Sequence, residues 1–76
     1  MPRFFFDVHD GVDIHDEVGR ELADRAAVRE EALSVAIKLL AAEASDSKET
    51  TLVLTVRDEA GETPLRIRLV SQIEER

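Results

Sequence analysis

Hydrophobic and polar positions alternate from the start of the chain. Phe4, Phe6 and Val8 stand on one parity, and Arg3, Phe5, Asp7 and His9 on the other. A period of two is that of a strand with one buried face, and the aromatic run favours a strand further. The run ends at Asp10-Gly11, a dipeptide common in hairpin turns. Parity then sets the loop length, because cross-strand partners share a face. A two-residue turn would pair Val8 with Asp13 and send Ile14 outward, whereas a three-residue loop, Asp10-Gly11-Val12, pairs Val8 with Ile14 and keeps both inside. The longer loop is therefore expected. Its corollary is that Asp7 faces His15, and His9 faces Asp13, on the side away from the core.

The stretch Asp16 to Asp24 reads as a connection, with Gly19 for a tight bend and Asp24 as a helix N-cap. From about Arg25 to about Glu43 the period changes to that of a helix. Val28, Ala32, Leu33, Val35, Ala36, Ile37, Leu39 and Leu40 project onto an arc of roughly 200°, wider than one sheet needs. Arg29 falls near the middle of that arc, where its stem can pack and its guanidinium must reach solvent or a carboxylate. Ala44 to Lys48 is loop-like in composition. Alternation then returns. Leu52, Leu54 and Val56 oppose Thr51, Val53, Thr55 and Arg57, and Leu65, Ile67 and Leu69 oppose Arg66, Arg68 and Val70. A four-residue loop, Asp58 to Gly61, would pair Leu54 with Leu65 and Leu52 with Ile67. Pro64, which cannot donate to a ladder, suits a strand start at an edge.

Residues 1–76 thus read as one α+β domain of order β-β-α-β-β. The expected architecture is a four-stranded, mainly antiparallel sheet with one helix packed on one face. Two strand orders stay open: an all-antiparallel 2-1-3-4, or a parallel central pair of the first and fourth strands.

Composition narrows what such a domain can do. A chain of 76 residues has a small core, and with no cysteine it has no disulfide or thiolate metal site to reinforce it, so self-association is the expected supplement. A net charge of −7 disfavours non-specific binding to nucleic acid or anionic membranes. The opening residues resemble neither a signal-peptide core nor a membrane span. A cytoplasmic protein is expected.

Three surfaces carry candidate chemistry. Asp7, His9, Asp13 and His15 form two cross-strand Asp-His pairs, a ligand set that suits Zn²⁺ and related ions; as simple opposite-charge pairs they would also stabilise a solvent face. No nucleophile or oxyanion donor accompanies them, which argues against an enzyme. The outer sheet face collects Arg3, Phe5, Arg66 and Arg68 with Val53 and Val70. Arginines around an exposed ring can stack nucleic-acid bases, but with one ring in a strongly acidic chain an apolar patch covered by a protein partner fits better. The third surface is the surplus apolar width of the helix, with Arg29 on it. No cofactor is implied, because Gly11, Gly19 and Gly61 are isolated and form no phosphate loop.

Pro2-Arg3-Phe4-Phe5-Phe6-Asp7, Asp10-Gly11, Asp16-Glu17-x-Gly19-x-Glu21-Leu22-x-Asp24 and Ala27-x-Arg29-x-Glu31-Ala32 resemble a family of small uncharacterised bacterial proteins. Its recurrent opening is P-R-[YF]-F-F, followed by D-G and D-x-x-G-x-E-L-x-D. Here Phe4 stands where Tyr is usual and Ala23 where Pro often precedes the Asp. The resemblance implies a fold and no activity. At fold level, the hairpin, the G-x-E-L-x-D turn and the Ala/Glu-rich helix are similar to the antitoxin partners of small RNA-cleaving toxins, whose comparable domain is a noncatalytic binding module. The combined expectation is a homodimeric protein-interaction module; the alternatives are a nucleic-acid-associated or antitoxin-like regulator and a metal-binding protein.

Overall fold

A computed structural model describes residues 1–45 and 47–75. Its elements are β1 (Arg3–His9), β2 (Asp13–Ile14), β3 (Arg20–Glu21), α1 (Arg25–Ala44), β4 (Glu49–Asp58) and β5 (Leu65–Gln72). The sheet runs β2-β1-β4-β5, and β3 adds to the same side of β1 as β2. Every pair is antiparallel. Of the two orders left open by the sequence, the all-antiparallel one forms. Asp46, inside the stretch read as a loop, lies outside the described residues.

The first hairpin has the expected register, with Val8 opposite Ile14 and His9 opposite Asp13. One parity of β1 and β4 makes the core: Phe4, Phe6 and Val8 beside Leu52, Leu54 and Val56, covered by Val28, Ala32 and Ala36 of α1. The two alanines matter because small side chains let the helix backbone approach the sheet. Complete burial of Leu52, Leu54, Val28 and Val56 contributes about 1.5–3 kcal/mol each relative to exposure. Asp24 caps the helix as expected, its Oδ1 accepting the Ala27 N–H at 2.8 Å.

Four expectations need correction. Arg20–Glu21, read as connection, forms a short strand against Arg3 and Phe4, so the sheet has five strands. Ile14 has the core parity but is 55 % exposed, because α1 packs against β4 and β5 and leaves the β2 edge open. The second hairpin pairs Leu54 with Ile67 and Leu52 with Leu69, two residues beyond the expected register. The cause is the turn. Asp58 accepts the Ala60 and Glu62 N–H groups at 3.0 and 2.9 Å, its own N–H donates to the Glu62 carbonyl at 2.9 Å, and Thr63-Pro64 stay outside the strand. A slip of two keeps every side chain on its expected face. Finally, Arg29 is exposed. The sheet-facing line passes through Val28, Ala32 and Ala36, which leaves Arg29 on a flank with Leu33.

Candidate functional site

The face of the sheet away from α1 carries an ordered polar cluster built from β1, β4 and the Asp16–Gly19 loop. Phe5 lies opposite Arg57, and Asp7 opposite Thr55. Arg57 reaches back across β1: its Nε donates to Asp7 Oδ2 at 2.6 Å, and one Nη donates to Asp7 Oδ1 at 3.2 Å and to the Asp16 carbonyl at 2.8 Å. Its guanidinium carbon sits 5.0 Å from the Phe5 ring centre, a cation–π distance. Asp7 Oδ1 also accepts the Asp16 N–H at 2.9 Å.

Asp16 extends the cluster into the loop. One carboxylate oxygen accepts the Phe6 N–H at 3.0 Å, and the other accepts the Val18 and Gly19 N–H groups, each at 3.0 Å. Arg3 closes the far side, donating to the Val18 carbonyl at 2.8 Å and to Glu21 at 3.2 Å. Gly19 has φ +74°, and a Cβ there would meet Arg3 Cγ, the Phe4 carbonyl oxygen and Phe5 Cε1, each at 2.9 Å. Only glycine fits without displacing β1.

The electrostatics follow from these contacts. The paired Arg57 guanidinium lowers the Asp7 pKa, against the opposing effect of burial, with help from the Asp16 N–H. For Asp16 burial pushes upward, but the N–H groups of Phe6, Gly19 and Val18 outweigh it and the pKa falls. Both carboxylates are therefore held ionised, and their lone pairs are spent on backbone and guanidinium donors. The cluster fastens a loop to a sheet.

Apart from Arg57, the clasp is built from residues near the start of the chain: Arg3, Phe5, Asp7, Asp16, Gly19 and Glu21. A family profile described as Domain of unknown function (DUF6894) matches residues 3–71. The chain belongs to that family. Searches of curated proteins and of solved structures found no match to this chain.

In this DUF6894 chain the two Asp-His pairs form as expected. His9 contacts Asp13 through Nδ1, and His15 Nδ1 lies 3.5 Å from Asp7. Asp7, however, is committed to Arg57, whose Nη also lies 3.2 Å from His15 Nε2. A cation already lies against both members of the Asp7-His15 pair, and among the described residues no group of three or more His, Cys, Asp or Glu is placed to hold a metal. A shallow groove of about 380 Å³ runs beside the pairs, bounded by Ile14, Val53 and Thr55.

The expected Arg-Phe patch divides into two regions. Arg3 and Phe5 belong to the clasp at one end. Arg66 and Arg68 lie across from Thr55 and Val53, and Val70 across from Thr51, one strand further from Phe5. The ring expected to mark a working surface is half-buried and seats the loop. Arg57 and Asp16 were not singled out from sequence, although Asp16 three residues before Gly19 is a turn signal. Among the described residues no helix is long and apolar enough to cross a membrane.

Proposed function

We propose that this DUF6894 chain is a small noncatalytic protein-interaction module that acts as a homodimer in the cytoplasm. The observation that carries the reading is where exposed apolar side chains collect. Leu33 and Ile37 on α1, and Val70 and Ile73 on and after β5, are 40, 53, 59 and 42 % exposed. All four belong to the helix and strand at the β5 side of the sheet, whereas the exposed Val12, Ile14 and Val18 lie at the opposite side, in or beside the short hairpin and the clasped loop. Apolar positions gathered at an open edge are the signature of an interface, and self-association would supplement the core of a short chain without disulfides.

A noncatalytic role is supported by the use made of the polar cluster. Asp7, Asp16 and Arg57 satisfy backbone and one another, which is the work of a structural clasp. The acidic balance of the chain, −7, supports a protein surface over a nucleic acid as partner.

The test is the mass of the chain in solution at micromolar concentration, by light scattering on a sizing column. The reading predicts twice the 8.5 kDa of one chain. A mass of one chain throughout the micromolar range would refute the homodimer. A shift on adding mixed RNA at low salt, lost when Arg66 and Arg68 are changed to Glu, would transfer the function to nucleic-acid binding.

A further inference from the structure

The two sides of the sheet are built differently. On one side the β1 strand is flanked by β2 and β3, each of two residues, with the clasped loop between them. On the other, β5 is a regular eight-residue strand that, among the described residues, pairs only with β4. The Ile73 N–H donates to the Lys48 carbonyl at 2.7 Å. In an antiparallel ladder residues alternate between facing their partner strand and facing away. Odd-numbered residues of β5 therefore direct main-chain groups toward β4, and Arg66, Arg68, Val70 and Gln72 direct theirs to the open edge.

The helix presents its apolar flank to this same edge. Successive residues turn about 100°, so Glu31 and Leu33 project to opposite sides of the sheet-facing Ala32. Glu31 is bonded to Arg20 of β3 at 2.8 Å, which fixes its flank toward β1. Leu33 and Ile37, one turn apart, thus face the β5 side.

We infer that β5 pairs with β5 of a second copy of this chain, antiparallel and with Val70 on the two-fold axis. This deepens the homodimer reading and rests on it. Charge complementarity favours this register over those centred on Arg68 or Leu69. Centred on Val70, it sets Arg66 opposite Glu74 of the second copy, Arg68 opposite Gln72, and Ile67 opposite Ile73, with Val70 meeting its own equivalent. Each residue stays on its own face, and opposite charges lie across the ladder. Centring on Arg68 would place like charges together. Shifting the axis to Leu69 would place Arg66 against Gln72 and lose the ion pair.

Distances allow the helices to meet as well. The helix packs to a like extent on β4 and β5, so its axis lies about one strand spacing, roughly 4.8 Å, from a two-fold axis beside β5. Two helices would then be about 9–10 Å apart, within the 8–10 Å of packed helices. Leu33 and Ile37 would close on their equivalents above Ile67 and Ile73. One symmetric contact thereby covers Leu33, Ile37, Val70 and Ile73 together.

The chain has no cysteine, so Val70→Cys introduces a single thiol. Under mild oxidation it should form a disulfide-linked dimer, while Val53→Cys, in the interior of the same sheet face, should not. In parallel, Arg66→Glu should weaken association at least about tenfold by setting two acids opposite each other on both sides of the axis. Adding Glu74→Lys to Arg66→Glu should restore it. A dimer that persists while Val70→Cys gives no cross-link and Arg66→Glu has no effect overturns the edge pairing and leaves the homodimer standing. A chain that is monomeric before any substitution overturns both.

Discussion

Replacing Gly19 by alanine separates the clasp from an ordinary turn. An L-residue in the left-handed region costs about 1–2 kcal/mol, and the φ of +74° imposes that cost here. The added Cβ would also stand 2.9 Å from three heavy atoms, well inside ordinary contact distances of about 3.5–4.0 Å. Arg3 Cγ and the Phe5 ring can yield only if their side chains rotate away from the contacts that hold them. The Phe4 carbonyl oxygen cannot, since it belongs to a strand paired on both sides. Overpacking of this kind costs about 1–3 kcal/mol. The total for Gly19→Ala is about 2–5 kcal/mol, or a fall in Tm of roughly 10–40 °C for a domain of this size. Gly61 is the control. It has φ +83° and nothing within 4 Å of a built Cβ, so Gly61→Ala carries only the conformational cost of about 1–2 kcal/mol. Thermal unfolding followed by circular dichroism, at one fixed protein concentration, measures both. Equal Tm values for the two variants would refute the claim that the loop is seated on β1 through Gly19.

Acid should loosen the same clasp. Asp7 and Asp16 both have pKa values below the ordinary 3.8, so the folded state binds fewer protons than the unfolded state as pH falls through that region. Their contribution is present above 3.8 and is lost as the pH drops toward the folded values; Asp7→Asn with Asp16→Asn should flatten the acid limb of a stability–pH curve, and an unchanged limb would contradict it. Arg57→Met keeps the stem over Phe5 and removes the donors to Asp7 and the Asp16 carbonyl. Amide exchange at Val18 and Gly19 should then accelerate while that of Leu54 stays slow; unchanged exchange at Val18 and Gly19 would count against the clasp. At the helix start, Asp24→Ala removes the bond to the Ala27 N–H and should cost about 1 kcal/mol in denaturant unfolding; a value near zero would mean that water replaces the cap.

Parity made most of this fold legible. Phe4, Phe6 and Val8 hold one parity against Phe5, Asp7 and His9, and the buried face and the loop length of the first hairpin follow from that alternation, although Ile14, which set the loop length, lies outside the core. The same reasoning fails at the second turn for a local reason. The Asp58 side chain substitutes for ladder bonds and Pro64 cannot make one, so the register slips by two, an error that alternation cannot detect. The helix was read too broadly because hydropathy does not say where a single sheet ends. Val28, Ala32 and Ala36 meet it, and Leu33 and Ile37 overhang its edge. Arg57 escaped notice because its partners are fifty and forty-one residues away in sequence, and one arginine on a polar face carries no motif. Once it is placed, the Asp-His hairpin face, legible as a ligand set, proves to have a guanidinium bound to Asp7 and beside His15. Phe5 changes meaning with it, from an exposed ring among arginines to the floor on which a loop is fastened.

Hydrogen exchange along β5 tests the self-association most directly. In one isolated chain the N–H groups of Arg66, Arg68, Val70 and Gln72 point to an open edge and exchange freely, whereas those of Ile67 and Leu69 are bonded to β4. Pairing with a second copy protects the even-numbered set, with Val70 at the axis slowed most. The protection must fade on dilution, because it depends on association. Slow exchange at Arg68 and Val70 at high concentration that becomes fast on dilution is the predicted result. Fast exchange at those two residues at every concentration would contradict it.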